Sequence, residues 1–333
     1  SLAKEFTNTH PGGSEGKTRL AGFFANVNYS YANRYLLDLS ARLDGSSMYG
    51  SESKFSPFWA VGLGWNIHHE KFMENTGISR LKIRGSIGTT GKASFQPYQS
   101  QTMFEYIQDG WYATGIGATP MALGNPNLKW ETNLNFNVGI DFSLFNNRFS
   151  GSFDFFTRRS KDLLYSRPIA PSLGYGSIDE NVGALKNTGI EMVLNGTIIN
   201  QNGWVWKLGM NLTHYKNKVT ELPLKDMPQS GVNKLQVGRS VYYFYMKEWA
   251  GVDPDNGNPL WYMDEVDAND NPTGKRVTTS DYASANYYYV NKSSLPKVYG
   301  GFNTSLSWKG FDLSAIFAYS IGGYIYNRDI TMI

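Results

Sequence analysis

Residues 128–144 read LKWETNLNFNVGIDFSL, and every even position in this stretch is apolar except Thr132. Every odd position between them is polar or glycine. Strict alternation with a period of two is the pattern of a β-strand that has one apolar face. The run of seventeen residues greatly exceeds the usual strand length of about five or six. The stretch therefore predicts one unusually long strand.

The alternation turns at Asn146 and Asn147 and resumes as RFSGSFDFF over 148–156. A two-residue loop would pair Leu144 with Phe149 and would bring both apolar sets to one face of a hairpin. Asparagine also tolerates the left-handed backbone that such tight turns demand. The same test predicts three further hairpins, with turns at 32–34, 200–203 and 309–310.

About ten strands are predicted in all, including FWAVGLGWNI at 58–67 and LKIRGSIG at 81–88. The connections between them alternate in length. Short turns fall near 33, 146, 201 and 309, the 68–79 connection is intermediate, and long connections fall near 45–56, 89–127, 165–185 and 220–296. An up-and-down meander places all short turns at one end of the sheet, and transmembrane barrels have short periplasmic turns and longer extracellular loops.

Alternation alone is equally compatible with a soluble β-sandwich. Two features favour a membrane barrel instead: the strand length, since a tilted membrane strand needs about nine to eleven residues, and aromatic residues near the short turns, which suit the membrane interface. The predicted fold is thus all-β, an antiparallel up-and-down transmembrane β-barrel. The side chains expected to face lipid are Leu134, Phe136, Val138, Ile140 and Phe142, and those expected to face the lumen are Asn133, Asn135, Asn137 and Asp141.

The composition narrows the classes of function that the chain can have. The chain has 333 residues, 15% aromatic and 18% charged, with a formal net charge of +3 and no cysteine. No Lys/Arg stripe points to a nucleic-acid partner. No apolar run reaches the roughly eighteen residues of a membrane helix. The chain starts at Ser1 without a basic and apolar signal pattern, so we expect either a removed signal or an internal fragment.

The sequence contains no H-E-x-x-H pair and no P-loop. The histidines are only four, at 10, 68, 69 and 214. On a strand, the adjacent His68 and His69 would point to opposite faces and could not share a metal. A polar turn beside Glu70 is the favoured interpretation. We therefore predict no catalytic residues, no cofactor and no enzyme activity.

A calcium-like spacing occurs in GVDPDNGNPLWYMDE, with carboxylates at Asp253, Asp255 and Asp264. An EF-hand loop needs glycine at its sixth position and a bidentate glutamate at its end. Counting from Asp253, Asn258 stands at the sixth position and Asp264 at the end. A turn-rich loop is the favoured interpretation, and no metal site is predicted.

The long connections are rich in aromatic residues set among Asn, Asp and Ser. Aromatic faces beside hydrogen-bonding groups suit sugar rings or peptide segments. Packing of the loops on themselves or on a partner is the alternative. The predicted ligand-binding residues are Trp111, Tyr112, Trp249, Trp261, Tyr262 and Tyr288.

Several stretches in series resemble the SusC/RagA family of TonB-dependent outer-membrane proteins from Bacteroidetes. They span roughly 18–328 and read YLLDLSARLDGSSMYGSESKFSPFWAVGLGWNIHHEKF, RLKIRGSIGTTG, LGNPNLKWETNLNFNVGIDFSLFNNRFSGSFDFF, NVGALKNTGIEMVLNGT and LPKVYGGFNTSLSWKGFDLS. The resemblance implies a 22-stranded barrel with an N-terminal plug. We expect 1–333 to be a partial barrel of about ten strands, without the plug, signal peptide or final barrel strands.

The resemblance also implies a function. The chain is expected to be the barrel portion of an outer-membrane transporter that imports oligosaccharides or peptides. Its expected partners are a SusD-like surface lipoprotein, the TonB complex and outer-membrane lipids. The alternative is a surface binding or adhesion protein through which nothing passes. A plug and TonB box in the parent gene would distinguish the two.

Overall fold

The computed structural model describes residues 15–92, 96–112, 115–224, 227 and 231–327, without the side chains of 108–112 and 116. These residues form nineteen strands. The strands are β1 (Leu20–Tyr31), β2 (Tyr35–Ser46), β3 (Phe55–Asn66), β4 (Ile78–Lys92), β5 (Met103–Tyr112), β6 (Gly115–Ala122), β7 (Glu131–Leu144), β8 (Phe149–Lys161), β9 (Leu164–Pro168), β10 (Ser177–Asn181), β11 (Ala184–Gln201), β12 (Trp204–Glu221), β13 (Tyr243–Lys247), β14 (Trp249–Val252), β15 (Pro259–Val266), β16 (Pro272–Thr279), β17 (Tyr287–Ser293), β18 (Val298–Trp308) and β19 (Phe311–Ile321). Short 3-10 turns lie at Ile67–His69, Lys71–Met73 and Pro171–Leu173.

Ten long strands form a single sheet in the order β1-β2-β3-β4-β7-β8-β11-β12-β18-β19. Every neighbouring pair is antiparallel. The sheet is therefore an up-and-down meander interrupted only by insertions between strands. Among the described residues, no helix is long and apolar enough to cross a membrane. The all-β, antiparallel prediction and its ten-strand count are confirmed.

Strands β7 and β8 pair in the register that was predicted for this hairpin. Leu144 lies opposite Phe149, and the turn between them is closed by the Arg148 N–H, which donates to the Phe145 carbonyl at 3.2 Å. Asn146 and Asn147 both have positive φ, as the tight turn requires. On β7, exposed apolar positions alternate with less exposed polar ones, and Leu134, Phe136, Val138 and Ile140 are all exposed. This alternation gives the sheet one continuous apolar face.

The first three residues of the opening stretch depart from the prediction, because β7 begins only at Glu131. Leu128 is 0% exposed and lies in a cluster with Tyr49, Phe58 and Trp130. The Trp130 ring stacks on Tyr49 with centroids 4.5 Å apart. The alternation at Leu128 and Trp130 therefore serves a core under the long connections rather than the lipid face.

The face predicted to line the lumen carries a polar network. Arg84 of β4 bonds Asp141 of β7 at 3.2 Å and Asp154 of β8 at 2.7 Å. Gly139 lies between these side chains, and a Cβ there would stand 2.3 Å from the Asp154 carboxylate oxygen. A glycine is therefore needed at this position for the ion-paired cluster to span three strands.

Several aromatic side chains contact each other at the end of the sheet that carries the short turns. The Trp204 and Trp308 rings stack with centroids 4.8 Å apart. Glu70, in the turn between β3 and β4, accepts hydrogen bonds from the Tyr35 hydroxyl and the Trp65 indole, both at 2.9 Å. This end of the sheet is thus tied by amphipathic rings and one shared carboxylate.

The adjacent histidines lie in a turn beside Glu70 and not on a strand, as the favoured interpretation predicted. Ile67–His69 form a 3-10 turn. The His68 and His69 rings contact each other edge to face at 4.3 Å. His68 Nδ1 also lies 3.0 Å from the Leu81 carbonyl, which ties the turn to β4.

We expect the contribution of Glu70 to stability to depend on pH. The hydrogen bonds from Trp65 and Tyr35 lower the pKa of the Glu70 carboxyl below its usual value. Because the carboxyl has a lower pKa in the folded state than in the unfolded state, where it is about 4.3, its ionised form stabilises the fold at pH values above about 4.3. This stabilisation is lost as the pH falls through the pKa of the folded state. The melting temperature of wild type should therefore exceed that of Glu70→Gln at neutral pH, and the gap should close below about pH 4.

Glu74→Gln is the matched control, because Glu74 is an exposed carboxylate in the same connection. Its melting curve should follow wild type across the titration. A gap between wild type and Glu70→Gln that stayed constant down to about pH 3 would contradict the expected linkage.

Candidate functional site

The long connections fold into small sheets of their own at the opposite end of the ten-stranded sheet. They form the pairs β5–β6, β9–β10 and β13–β17 and the triplet β14–β15–β16. The sequence predicted loops here, because these short strands lack a long alternating pattern. The candidate site lies in the largest of these connections, in residues 243–293, which we call the aromatic lobe.

A tryptophan and a tyrosine, Trp249 and Tyr282, form the exposed face of the aromatic lobe. Trp249 of β14 is paired with Trp261 of β15, and their rings meet edge to face at 5.8 Å. Tyr282 contacts Trp261 in the same way at 5.1 Å. Trp249 is 55% exposed and Tyr282 is 53% exposed, whereas Trp261 is half-buried between them. The arrangement presents two aromatic rings held by a third.

Tyr262 and Tyr288 belong to a second group, which surrounds the Arg276 guanidinium. The Arg276 guanidinium lies 3.8 Å from the centroid of the Tyr288 ring and bonds Glu248 at 2.9 Å. The Tyr288 hydroxyl donates to Asp264 Oδ1 at 2.8 Å. Burial, and then this hydrogen bond to a carboxylate, raise the pKa of Tyr288 to about 12. Tyr288 is therefore a neutral phenol committed to an internal contact.

Lys247 is the cation closest to the exposed rings. Its ammonium lies 4.2 Å from the Tyr282 centroid and 5.4 Å from the Tyr287 centroid. It also donates to the carbonyl oxygens of Tyr282 and Ala283. These groups already satisfy the ammonium, so Lys247 supports the exposed rings through internal contacts.

The calcium-like segment is a turn between β14 and β15. The Asp253 carboxylate accepts from the Asp255 N–H at 3.0 Å and from the Asn256 amide at 2.8 Å. Gly257 has a φ of +74°, which closes the turn. Asp264 lies outside the turn, in β15, and bonds Tyr288. Across the described ranges, no group of three His, Asp or Glu is placed to hold a metal ion.

The aromatic lobe gathers four of the six predicted ligand-binding residues: Trp249, Trp261, Tyr262 and Tyr288. The other two, Trp111 and Tyr112, end β5 in the separate β5–β6 sheet. Their side chains lie outside the described atoms, so their part in binding stays a prediction. Sequence reasoning missed Tyr282 and the supporting cations Lys247 and Arg276, because no local pattern distinguishes them from other loop residues.

The ten-stranded sheet is a long-stranded antiparallel meander with one apolar face, short turns at one end and folded loops at the other. These features define the wall of an outer-membrane β-barrel. The family described as TonB dependent receptor-like, beta-barrel, matches residues 5–328. The chain belongs to this family.

Its relatives include TonB-dependent receptor P3 of Formosa agariphila, which is 31% identical over 329 residues, covering 93% of this chain and 32% of the relative. TonB-dependent receptor SusC of Bacteroides thetaiotaomicron is 30% identical over 335 residues, with coverage of 93% and 32%. A solved structure of the RagAB peptide importer in the closed-closed state superposes with a TM-score of 0.83 at 33% identity, covering 93% of this chain and 34% of that chain. The chain thus spans about a third of the length of the relatives it matches.

Proposed function

We propose that residues 1–333 are a barrel portion of a TonB-dependent outer-membrane active transporter that imports oligosaccharides or peptides. The observation that carries the proposal is the similarity to the RagAB peptide importer, with a TM-score of 0.83 at 33% identity over 93% of this chain. The ten-stranded sheet supplies the wall, its apolar face anchors it in lipid, and its polar face guides solute. The relatives are receptors and importers, which favours transport over enzymatic chemistry.

The aromatic lobe is proposed as a capture surface on the extracellular side. Trp249 and Tyr282 offer exposed ring faces, and aromatic faces bind the apolar faces of sugars and the side chains of peptides. The nearby cations are held by internal partners, so recognition of an anionic group is not the main contribution. A SusD-like lipoprotein above the loops and a TonB-coupled plug are proposed as the partners that complete the transporter.

Uptake in living cells tests the proposal. Cells carrying the full-length protein and its partner lipoprotein would be supplied with fluorescent oligopeptides or with fluorescent oligosaccharides. We expect accumulation of one of the two probe classes, and loss of that accumulation when TonB is deleted. The probe class that accumulates assigns the cargo.

Two results would contradict active import. Accumulation that is unchanged without TonB would show passive entry. Binding of a probe to the cell surface with no accumulation in TonB-positive cells would instead identify a surface binding protein. A TonB-independent porin expressed in the same strains controls for general loss of outer-membrane permeability.

A further inference from the structure

A row of basic side chains crosses three neighbouring strands on the apolar, outward side of the sheet. Arg159 of β8 lies directly opposite Lys186 of β11, and Lys186 lies directly opposite Lys218 of β12. Arg159 also lies opposite Leu134, a member of the lipid-facing set. Lys186 shares a face with Met192 by the period of two. All three basic side chains are exposed, and we call them the basic row.

The height of the basic row matches the edge of a membrane. Ten residues of β8 separate Phe149, at the short-turn end, from Arg159. At about 3.4 Å per residue and a tilt of about 40°, these positions are about 26 Å apart along the membrane normal. The apolar band of such barrels is about 25 Å tall. Since long connections are extracellular, the basic row lies at the outer-leaflet boundary.

Within the part of the chain that the structure describes, no ion pair neutralises the charges of the basic row. Neighbouring strands are about 4.8 Å apart, and like charges directly opposite each other are destabilising. Lys161 and Lys216 add positive charge on the same face. Asp162 is paired with Lys129 at 2.9 Å. Glu221 lies opposite Ala184, which is two residues from Lys186 along β11. Within the described ranges, no ion pair joins Glu221 to the basic row.

We propose that the basic row binds the phosphate group of an outer-leaflet lipid. Three cations on adjacent strands fit a group that has several anionic oxygens, and the apolar belt directly below would contact its acyl chains. Thr157 and Thr188 lie between the lipid-facing apolar side chains and the basic row, and their hydroxyl oxygens are 3.2 Å apart. Both hydroxyl groups can add hydrogen bonds to the phosphate. The occupant is thus an anionic lipid, not a soluble cargo, and the site is separate from the aromatic lobe.

Lipid retention by the full-length protein in nanodiscs tests the proposal. The nanodiscs would contain phosphatidylcholine with diphosphoryl lipid A, or with the same lipid A stripped of its phosphates. Bound lipid would be measured by native mass spectrometry. We expect wild type to retain the diphosphoryl form and the triple variant Arg159→Gln, Lys186→Gln, Lys218→Gln to bind it roughly a hundredfold more weakly, since each cation at an anionic lipid surface contributes about fivefold.

The matched control is the triple variant Lys71→Gln, Lys275→Gln, Lys309→Gln, which removes the same charge from exposed positions away from the basic row. It should bind diphosphoryl lipid A as wild type does. Equal loss in both variants, equal binding of the dephosphorylated lipid, or undiminished binding by the first variant would overturn the proposal. Heat modifiability on gels verifies that both variants fold. Retention of inorganic phosphate alone would also count against a lipid site.

Discussion

Gly50→Ala is expected to open the connection between β2 and β3 and the core beneath it. A Cβ at Gly50 would stand 1.6 Å from the Pro126 carbonyl oxygen, so the backbone of one segment must move. The Gly50 N–H also donates to the Leu128 carbonyl at 2.9 Å, and Leu128 is the fully buried centre of the cluster. Displacing a core leucine costs about 2–5 kcal/mol, so we expect local stability to fall by that order.

Hydrogen exchange measured by mass spectrometry on the full-length protein checks this. Peptides covering 46–55 and 124–131 should exchange at least about thirtyfold faster in Gly50→Ala, because local opening free energy sets the exchange rate. Gly77→Ala is the matched control, since a Cβ there meets nothing within 4 Å. Exchange of both peptides at the wild-type rate in Gly50→Ala would show that the structure accommodates the methyl group, contrary to expectation.

Trp249→Ala is expected to lower the affinity for cargo about thirtyfold. Losses of this order are found when buried or stacked tryptophan anchors at binding surfaces are truncated. Trp249 is the most exposed tryptophan of the aromatic lobe and contacts Trp261 only at its edge. Its loss should therefore remove a stacking face while the lobe keeps its fold. Binding of the probe class that accumulates in cells, measured by calorimetry on the full-length complex, gives the affinity.

Phe72→Ala is the control for Trp249→Ala, because Phe72 is an exposed aromatic residue at the short-turn end, far along the sheet from the loops. Its affinity for the probe should equal that of wild type. If Trp249→Ala binds as tightly as wild type, the exposed face of the aromatic lobe is not a capture surface, although transport itself could still depend on TonB. The uptake experiment therefore separates failure of this surface from failure of the transport proposal.

Much of the sheet could be predicted from the sequence. The pairing of Leu144 with Phe149 followed from alternation and from two asparagines at the turn, because side-chain direction along a strand has a period of two. Once the apolar face is assigned, sliding a strand by one residue would invert every side chain. For this reason the hairpin register at Asn146 and Asn147, the two faces and the ten-strand count were determined locally.

The same pattern extended the predicted strand too far, to Leu128, because alternation does not distinguish a continuing strand from a core beneath folded loops. The burial of Leu128 and Trp130 depends on Tyr49 and Phe58, which come from connections and strands distant in sequence. The aromatic lobe shows the same limit, since Trp249 and Tyr282 come close only through pairing of β14 with β15 and contact with Trp261.

The sequence by itself determined the wall: long antiparallel strands, their hairpin registers and one apolar face, since each follows from periodicity within adjacent strands. The tertiary structure decided which side chains act together. Arg159, Lys186 and Lys218 form one basic row only because three strands place them at the same level. Arg84 joins Asp141 and Asp154 for the same reason. Local alternation sets where each side chain points, whereas strand order sets which side chains it meets.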